Sequence, residues 1–405
     1  MSAPETLLEE PGTKAAYACR SCGSLATSVF YEQEDVPVHS CRLVPTQEAA
    51  LTFPRGTLRL AFCADCGFIA NTAFDGSHQD YSVAYEETQG FSPRFRTFAH
   101  ELAARWVERY DLRGKRIIEI GCGKGEFLAT MCELGDNDGV GIDPAFVEER
   151  LPAHGAGRLS FFAELYDGEW GPLDADAVVC RHTVEHIAPV RAFLGDIRRG
   201  IGDRTETVVL FDLPDVVRVL REAAFWDLYY EHCSYFSPGS MARLFRRSGF
   251  DVLDLALDYD DQYIVLEARP AAGAPSGPHP AEESVEALRE TVDAFAATLA
   301  ATSTRWRDEL RGLRAEGGRA VVWGAGSKAV GFLTTLGVGP EVEVAVDINP
   351  FKQDMFIAGT GHRVVAPEEL VGVRPDLVVA MNPIYVDEIR EQLAGLGLSP
   401  RVVGV

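Results

Sequence analysis

Two glycine turns, each following a β-like run and opening a helical one, constrain this chain more than any other feature. The first is Glu119-Ile-Gly-Cys-Gly-Lys-Gly125 and the second is Gly324-Ala-Gly-Ser-Lys-Ala329. Strand, glycine turn and helix in that order is how a parallel α/β sheet brings backbone close to a ligand at its carboxyl edge. The pattern around each turn agrees. After a helix opened by Ser92-Pro93, strands are expected at 116–120, up to Asp143, at 177–180, 207–211, 252–257 and 263–268, with a helix from Glu126. Beyond a Pro/Gly-rich stretch from Pro270 to Pro280, a long helix from about Glu282 to Arg314 precedes strands at 320–323, 342–346, 377–381 and 401–403. The fold class is therefore α/β, with one Rossmann-like core and a second Rossmann-like lobe behind it.

The first turn has the chemistry of a nucleoside pocket. Gly121, Gly123 and Gly125 let the loop pass close to a ligand, and Asp143, ending the next strand, can accept hydrogen bonds from ribose hydroxyls. Glu119, two positions before the first glycine, favours S-adenosylmethionine over a dinucleotide. The second turn fits G-x-G-x-x-A, with Asp347 at about the ribose-binding distance. Three readings stay open there: NAD, the nucleotide of an activated substrate, or a wall without a ligand.

Upstream, Cys19-Arg-Ser-Cys22 and Cys63-Ala-Asp-Cys66 are each followed by glycine, at Gly23 and Gly67. No apolar signal region precedes them and no run has the apolar length of a membrane span, so a cytosolic protein is expected. In that reducing compartment the two pairs read as four ligands of one zinc ion, which would hold together a segment too small to do so itself. The other cysteines, Cys41, Cys122, Cys132, Cys180 and Cys233, read as free thiols. A formal charge of −23 argues against nucleic acid and anionic membrane as partners. The expected order is a tail over residues 1–16, a zinc-binding module over 17–75, the first Rossmann-like domain over 76–269, a linker over 270–281 and the last lobe over 282–405.

Candidate acid–base groups cluster in two places. His182 and His186 follow the expected strand at 177–180, where an acceptor would approach the cofactor. Tyr229-Tyr-Glu-His-Cys-Ser-Tyr-Phe-Ser237 is the densest run of catalytic side-chain types. A histidine titrates near ~6.5 when unperturbed, so His232 can take a proton from carbon acidified by a carbonyl, with Glu231 to orient it and Tyr229 to hold an enolate oxygen. Tyr81 and Tyr85 can close over the same cleft.

The order of these motifs, with Asp347-Ile-Asn-Pro-Phe-Lys-Gln353 after them, resembles the sugar C-methyltransferases of deoxysugar biosynthesis, the nucleotide-sugar 3-C- and 5-C-methyltransferases of antibiotic pathways. The resemblance covers nearly the whole chain. It implies a class I S-adenosylmethionine-dependent methyltransferase core with an N-terminal structural zinc module and a C-terminal Rossmann-like lobe. A nucleotide-linked keto sugar would lie between them. It places the base on His232, its neighbouring acid on Glu231, further catalytic groups on Tyr229, His186 and Tyr81, and acceptor contacts on Tyr85, Lys328, Asp347 and Lys352. A monomer or weak dimer is expected. The alternatives are a C-, O- or N-methyltransferase of a non-sugar acceptor, a nicotinamide-dependent sugar-nucleotide oxidoreductase, or a zinc-bearing scaffold without activity.

Overall fold

A computed structural model describes residues 17–82, 84–151 and 158–405. The tail expected over residues 1–16 lies outside them. In chain order the strands are β1 (Thr27–Pro37), β2 (Arg55–Cys63), β3 (Ile69–Asn71), β4 (Arg116–Ile120), β5 (Asp138–Ile142), β6 (Leu159–Phe162), β7 (Ala177–Arg181) and β8 (Val208–Pro214). Then follow β9 (Ser234–Tyr235), β10 (Phe250–Asp258), β11 (Tyr263–Pro270), β12 (Ala320–Trp323), β13 (Val342–Val346), β14 (Val364–Val365), β15 (Leu377–Ala380) and β16 (Arg401–Gly404).

The central sheet has the order β10-β11-β8-β7-β4-β5-β6. Strands β4 to β8 pair in parallel, whereas β11 lies antiparallel to β8 and β10 antiparallel to β11. Strand order reverses between β4 and β7, and a sheet of this kind binds its ligand at such a switch point. The helix Pro93–Arg109 covers one face with Phe98, Leu102 and Trp106, and its N-cap Ser92 accepts the Phe95 N–H, as the Ser-Pro pair predicts. The C-terminal sheet, β14-β13-β12-β15-β16, is wholly parallel and reverses in the same way between β12 and β15.

The first sheet, β1-β2-β3-β9, is antiparallel and carries the cysteine pairs. Its last strand comes from far along the chain: Ile69 pairs with Tyr235 and Ala70 with Ser234. The Tyr229–Ser237 run is thereby sewn to the cysteine-bearing module. Apolar packing joins the parts further. Leu58, Leu60 and Phe62 share one buried cluster with Phe225, Trp226, Phe295 and Phe332, while Cys63, Cys66 and Phe68 share another with Ile118, Val178 and Phe245. Each such fully buried large apolar side chain contributes on the order of 1.5–3 kcal/mol, so the seams are core rather than surface.

Candidate active site

Both glycine turns open into one cleft with a cavity of about 500 Å³, running from Glu119 and Gly121 past His186 and His232 to Lys328 and Asp347. At the first turn Gly121 has φ +74°, and a Cβ there would lie 1.9 Å from Thr183 Oγ1, so only glycine fits. Asp143 holds the loop, accepting Gly123 N–H at 2.9 Å on one carboxylate oxygen and Ala145 N–H at 2.7 Å on the other. The Glu119 carboxyl is buried, and Oε2 has no hydrogen-bond partner among the described residues. Burial lifts it to about 7, against the pull of Arg181. An unpartnered acceptor in the wall of a glycine-lined pocket fits the ammonium end of S-adenosylmethionine, which Glu119, the glycine turn and Asp143 would hold.

The second turn repeats this construction. Asp347 accepts Ala325 N–H and Asn349 N–H, both at 2.8 Å, as Asp143 accepts Gly123 and Ala145. Two lysines stand at it. Lys352 Nζ is 3.7 Å from Asp347 Oδ2, and Lys328 Nζ donates to Asp227 Oδ2 at 2.7 Å. Burial favours loss of the Lys352 proton, but Asp347 and its neighbours outweigh burial and hold that lysine above its usual range. Lys328 is shifted the other way, burial prevailing over Asp227.

Between the turns stand the expected acid–base groups. The His186 and His232 rings meet edge to face with centroids 4.7 Å apart, and Tyr229 packs on the other side of His232 at 4.7 Å. Tyr81 Oη is 3.1 Å from His186 Nδ1, and the Tyr85 ring lies 5.3 Å from that of Tyr81. Burial pushes both histidines down to about 4, their mutual repulsion adding to this for His186. Both imidazoles are therefore neutral near pH 7 and able to accept a proton.

Two expected contacts are arranged differently. Glu231 does not pair with His232. Its carboxylate lies behind the cleft wall, 2.7 Å from His39 Nδ1 and hydrogen-bonded by Ser40 Oγ. Tyr229 gives its hydroxyl proton to Asp227 at 2.8 Å, so toward a ligand it offers an acceptor rather than the donor an enolate oxygen needs. His182 also borders the cleft, with φ +46°, but its ring rests against Tyr263 at 4.5 Å. Sequence reasoning missed His39, Ser40 and Asp227. The four sulfurs of Cys19, Cys22, Cys63 and Cys66 lie within 4.8 Å of one another, a set able to hold a metal ion.

Against known proteins, residues 94–255 match the family profile described as a methyltransferase domain, and residues 280–398 match the C-methyltransferase C-terminal domain. The chain is an S-adenosylmethionine-dependent methyltransferase that carries the C-terminal domain of C-methyltransferases. A relative of this methyltransferase, NovU of Streptomyces niveus, described as a C-methyltransferase, is 28% identical over 72% of this chain and 73% of its own length. Among solved structures, the N,N-8-amino-8-demethyl-D-riboflavin dimethyltransferase of Streptomyces davawensis is 22% identical with a TM-score of 0.35, over 44% of this chain and 56% of that one. The 1,6-didemethyltoxoflavin-N1-methyltransferase of Burkholderia thailandensis is 19% identical with a TM-score of 0.34, over 43% of this chain and 78% of that one. Among the described residues no helix is long and apolar enough to cross a membrane.

Proposed function

We propose that this methyltransferase methylates a carbon next to a ketone on a nucleotide-linked deoxysugar. The observation that carries the reading is the neutral His232–His186 pair standing between the two glycine turns of one cleft. The glycine turn at Gly121 would hold the cofactor, and the turn at Gly324, with Lys328 and Lys352, would hold the nucleotide diphosphate. Two ammonium groups beside a helix N-terminus are suited to phosphate. The naming of NovU as a C-methyltransferase is consistent with carbon as the nucleophile.

When bound, S-adenosylmethionine supplies a methyl group on a sulfonium, which needs no further activation. The protein's share is to make the acceptor carbon nucleophilic and to aim it. His232 removes the α-proton and becomes an imidazolium. With neutral His186 carrying its proton on Nδ1 and donating it to Tyr81 Oη, the Tyr81 hydroxyl proton is left to be donated to the developing enolate oxygen. Tyr229, anchored on Asp227, walls the acceptor and accepts from a sugar hydroxyl. Cys19, Cys22, Cys63 and Cys66 would hold one Zn²⁺ in a structural role, four thiolates being a ligand set that gives the metal no catalytic water to supply.

The test uses S-adenosylmethionine labelled with ¹³C at the methyl, with a nucleoside-diphosphate-linked 4-keto-6-deoxyhexose as acceptor. A new carbon–carbon bond should appear by NMR. His232→Ala should lose turnover by about 100-fold or more, the usual contribution of a general base, with S-adenosylhomocysteine affinity retained. Methyl transfer to oxygen or nitrogen, or undiminished turnover in His232→Ala, overturns the reading.

A further inference from the structure

Behind the His232 wall, a buried hydrogen-bond hub joins all three parts of the chain. His39 and Ser40 come from the cysteine-bearing module, Glu231 from the segment that carries His232, and Ser327 from the C-terminal glycine turn. His39 Nε2 accepts the Asp80 N–H at 2.8 Å, so the ring proton lies on Nδ1 and is donated to Glu231 Oε2 at 2.7 Å. Ser40 gives its hydroxyl proton to Glu231 Oε1, and its backbone N–H faces the same oxygen at 3.3 Å. Ser40 Oγ is 2.8 Å from Ser327 Oγ, and Cys41 Sγ is 3.0 Å from Ser327 Oγ. Each hydroxyl has one proton. With that of Ser40 on the carboxylate, Ser327 donates to Ser40 and the Cys41 thiol donates to Ser327, a chain that ends on Glu231.

Glu231 is 1% exposed and does not border the cavity. Burial alone would raise its carboxyl, but the hydrogen bond from His39, the nearby His186 and Ser40 outweigh burial and keep it below the usual range. The resulting anion is felt by both cleft histidines, opposing the effect of burial on each. It cannot touch an acceptor, so it acts through other groups.

We propose that His39 is a positioning residue for methyl transfer: it fixes the Glu231 carboxylate behind His232 as the charge that stabilises the imidazolium formed when His232 takes the acceptor's α-proton. Ser40 and Ser327 fasten the same carboxylate to the glycine turn that holds the acceptor. This inference rests on the C-methylation reading.

A double-mutant cycle separates this role from simple buttressing. His39→Ala should lower kcat by about 10- to 100-fold, the loss expected for a hydrogen bond to a charged group. Acceptor KM, S-adenosylhomocysteine affinity and zinc content should stay near those of the parent. His39→Asn, whose amide N–H overlays Nδ1–H, should recover most of the loss. On a Glu231→Gln background, His39→Ala should have little further effect. An equal loss on both backgrounds, an unchanged kcat in His39→Ala, or no recovery in His39→Asn overturns the proposal. Should His39→Ala not fold, ¹⁵N NMR of the parent and of Glu231→Gln decides. The parent His39 must show the Nδ1–H tautomer, with a downfield proton that is lost in Glu231→Gln; any other tautomer overturns the hub. That same NMR measurement stands if the parent methylates no keto sugar, an outcome that sinks only the C-methylation reading.

Discussion

His186 and His232 carry a thermodynamic cost that can be measured. In the unfolded chain each titrates near ~6.5, whereas in the fold burial holds each at about 4. As pH falls from about 6.5 to about 4, the unfolded state takes up protons that the folded state refuses, so stability drops across that window and drops no further below it on their account. The expected outcome is a melting temperature that declines on acidification through this range, and declines less in His232→Gln, which has one fewer such group; thermal denaturation from pH 7 to pH 4 checks it. An identical slope in the variant would show that His232 titrates normally. The histidines themselves were legible in the sequence, because His186 follows a strand end and His232 sits in a run of catalytic side-chain types. His39 was not, since nothing in its local spacing marks it and its partner Glu231 lies 192 residues away. Asp227 was missed for the same reason. It is half-buried within an aromatic stretch, and only the fold brings Lys328 to it from 101 residues off.

At the scale of the element, the two glycine turns are built alike and differ in where their lysines lie. Asp143 and Asp347 each brace their own loop with both carboxylate oxygens; at the first turn Lys124 donates to the Tyr85 and Ala145 carbonyls and lies 3.5 Å from Glu87, whereas at the second Lys352 stands 3.7 Å from Asp347 itself. A Cβ on Gly326 would come 3.5 Å from Lys352 Nζ, which places the ammonium at the mouth of the turn, where a phosphate would lie. Lys352→Met should therefore raise the KM of a nucleotide-linked acceptor about tenfold or more, the scale of one lost charge-assisted contact, and leave S-adenosylhomocysteine affinity unchanged. Steady-state kinetics with calorimetry on the cofactor product reads both; weakened binding of both ligands would mean a damaged fold instead. Elements of this kind read well from sequence because strand, glycine turn and helix are local patterns. The strand Ser234–Tyr235 did not, because two residues carry no periodicity and its pairing with Ile69 and Ala70 is wholly long-range. The edge strands escaped as well: Val364–Val365 has two residues, and Leu159–Phe162 alternates half-buried and exposed positions without the buried apolar run that marks an inner strand.

For the whole molecule, that short strand changes what a metal at the four cysteines would do. A zinc module attached only by a linker could melt without consequence for chemistry elsewhere. Here Ile69 and Ala70 pair with Tyr235 and Ser234, Asn71 N–H donates to the Cys233 carbonyl at 3.1 Å, and Asn71 Nδ2 donates to the Tyr230 carbonyl at 3.2 Å. These bonds bracket His232 on both sides. The same module supplies His39 and Ser40 to Glu231, and Tyr81, which meets His186, follows a few residues after it. Glu119, Gly121 and Asp143, by contrast, stand at the carboxyl edge of the central sheet and, among the described residues, take no hydrogen bond from that module. Stripping the metal with a chelator should accordingly abolish methyl transfer and acceptor binding while S-adenosylhomocysteine still binds, with its affinity reduced by less than about tenfold, the margin that one hydrogen bond to a charged group would exceed. Calorimetry on the cofactor product, run beside an activity assay and a zinc determination, reads the three together, and returning Zn²⁺ should restore turnover. Loss of cofactor binding in step with the metal would mean that Cys63, Cys66 and Phe68, which pack into the same core as Ile118 and Val178, carry the central sheet down with them.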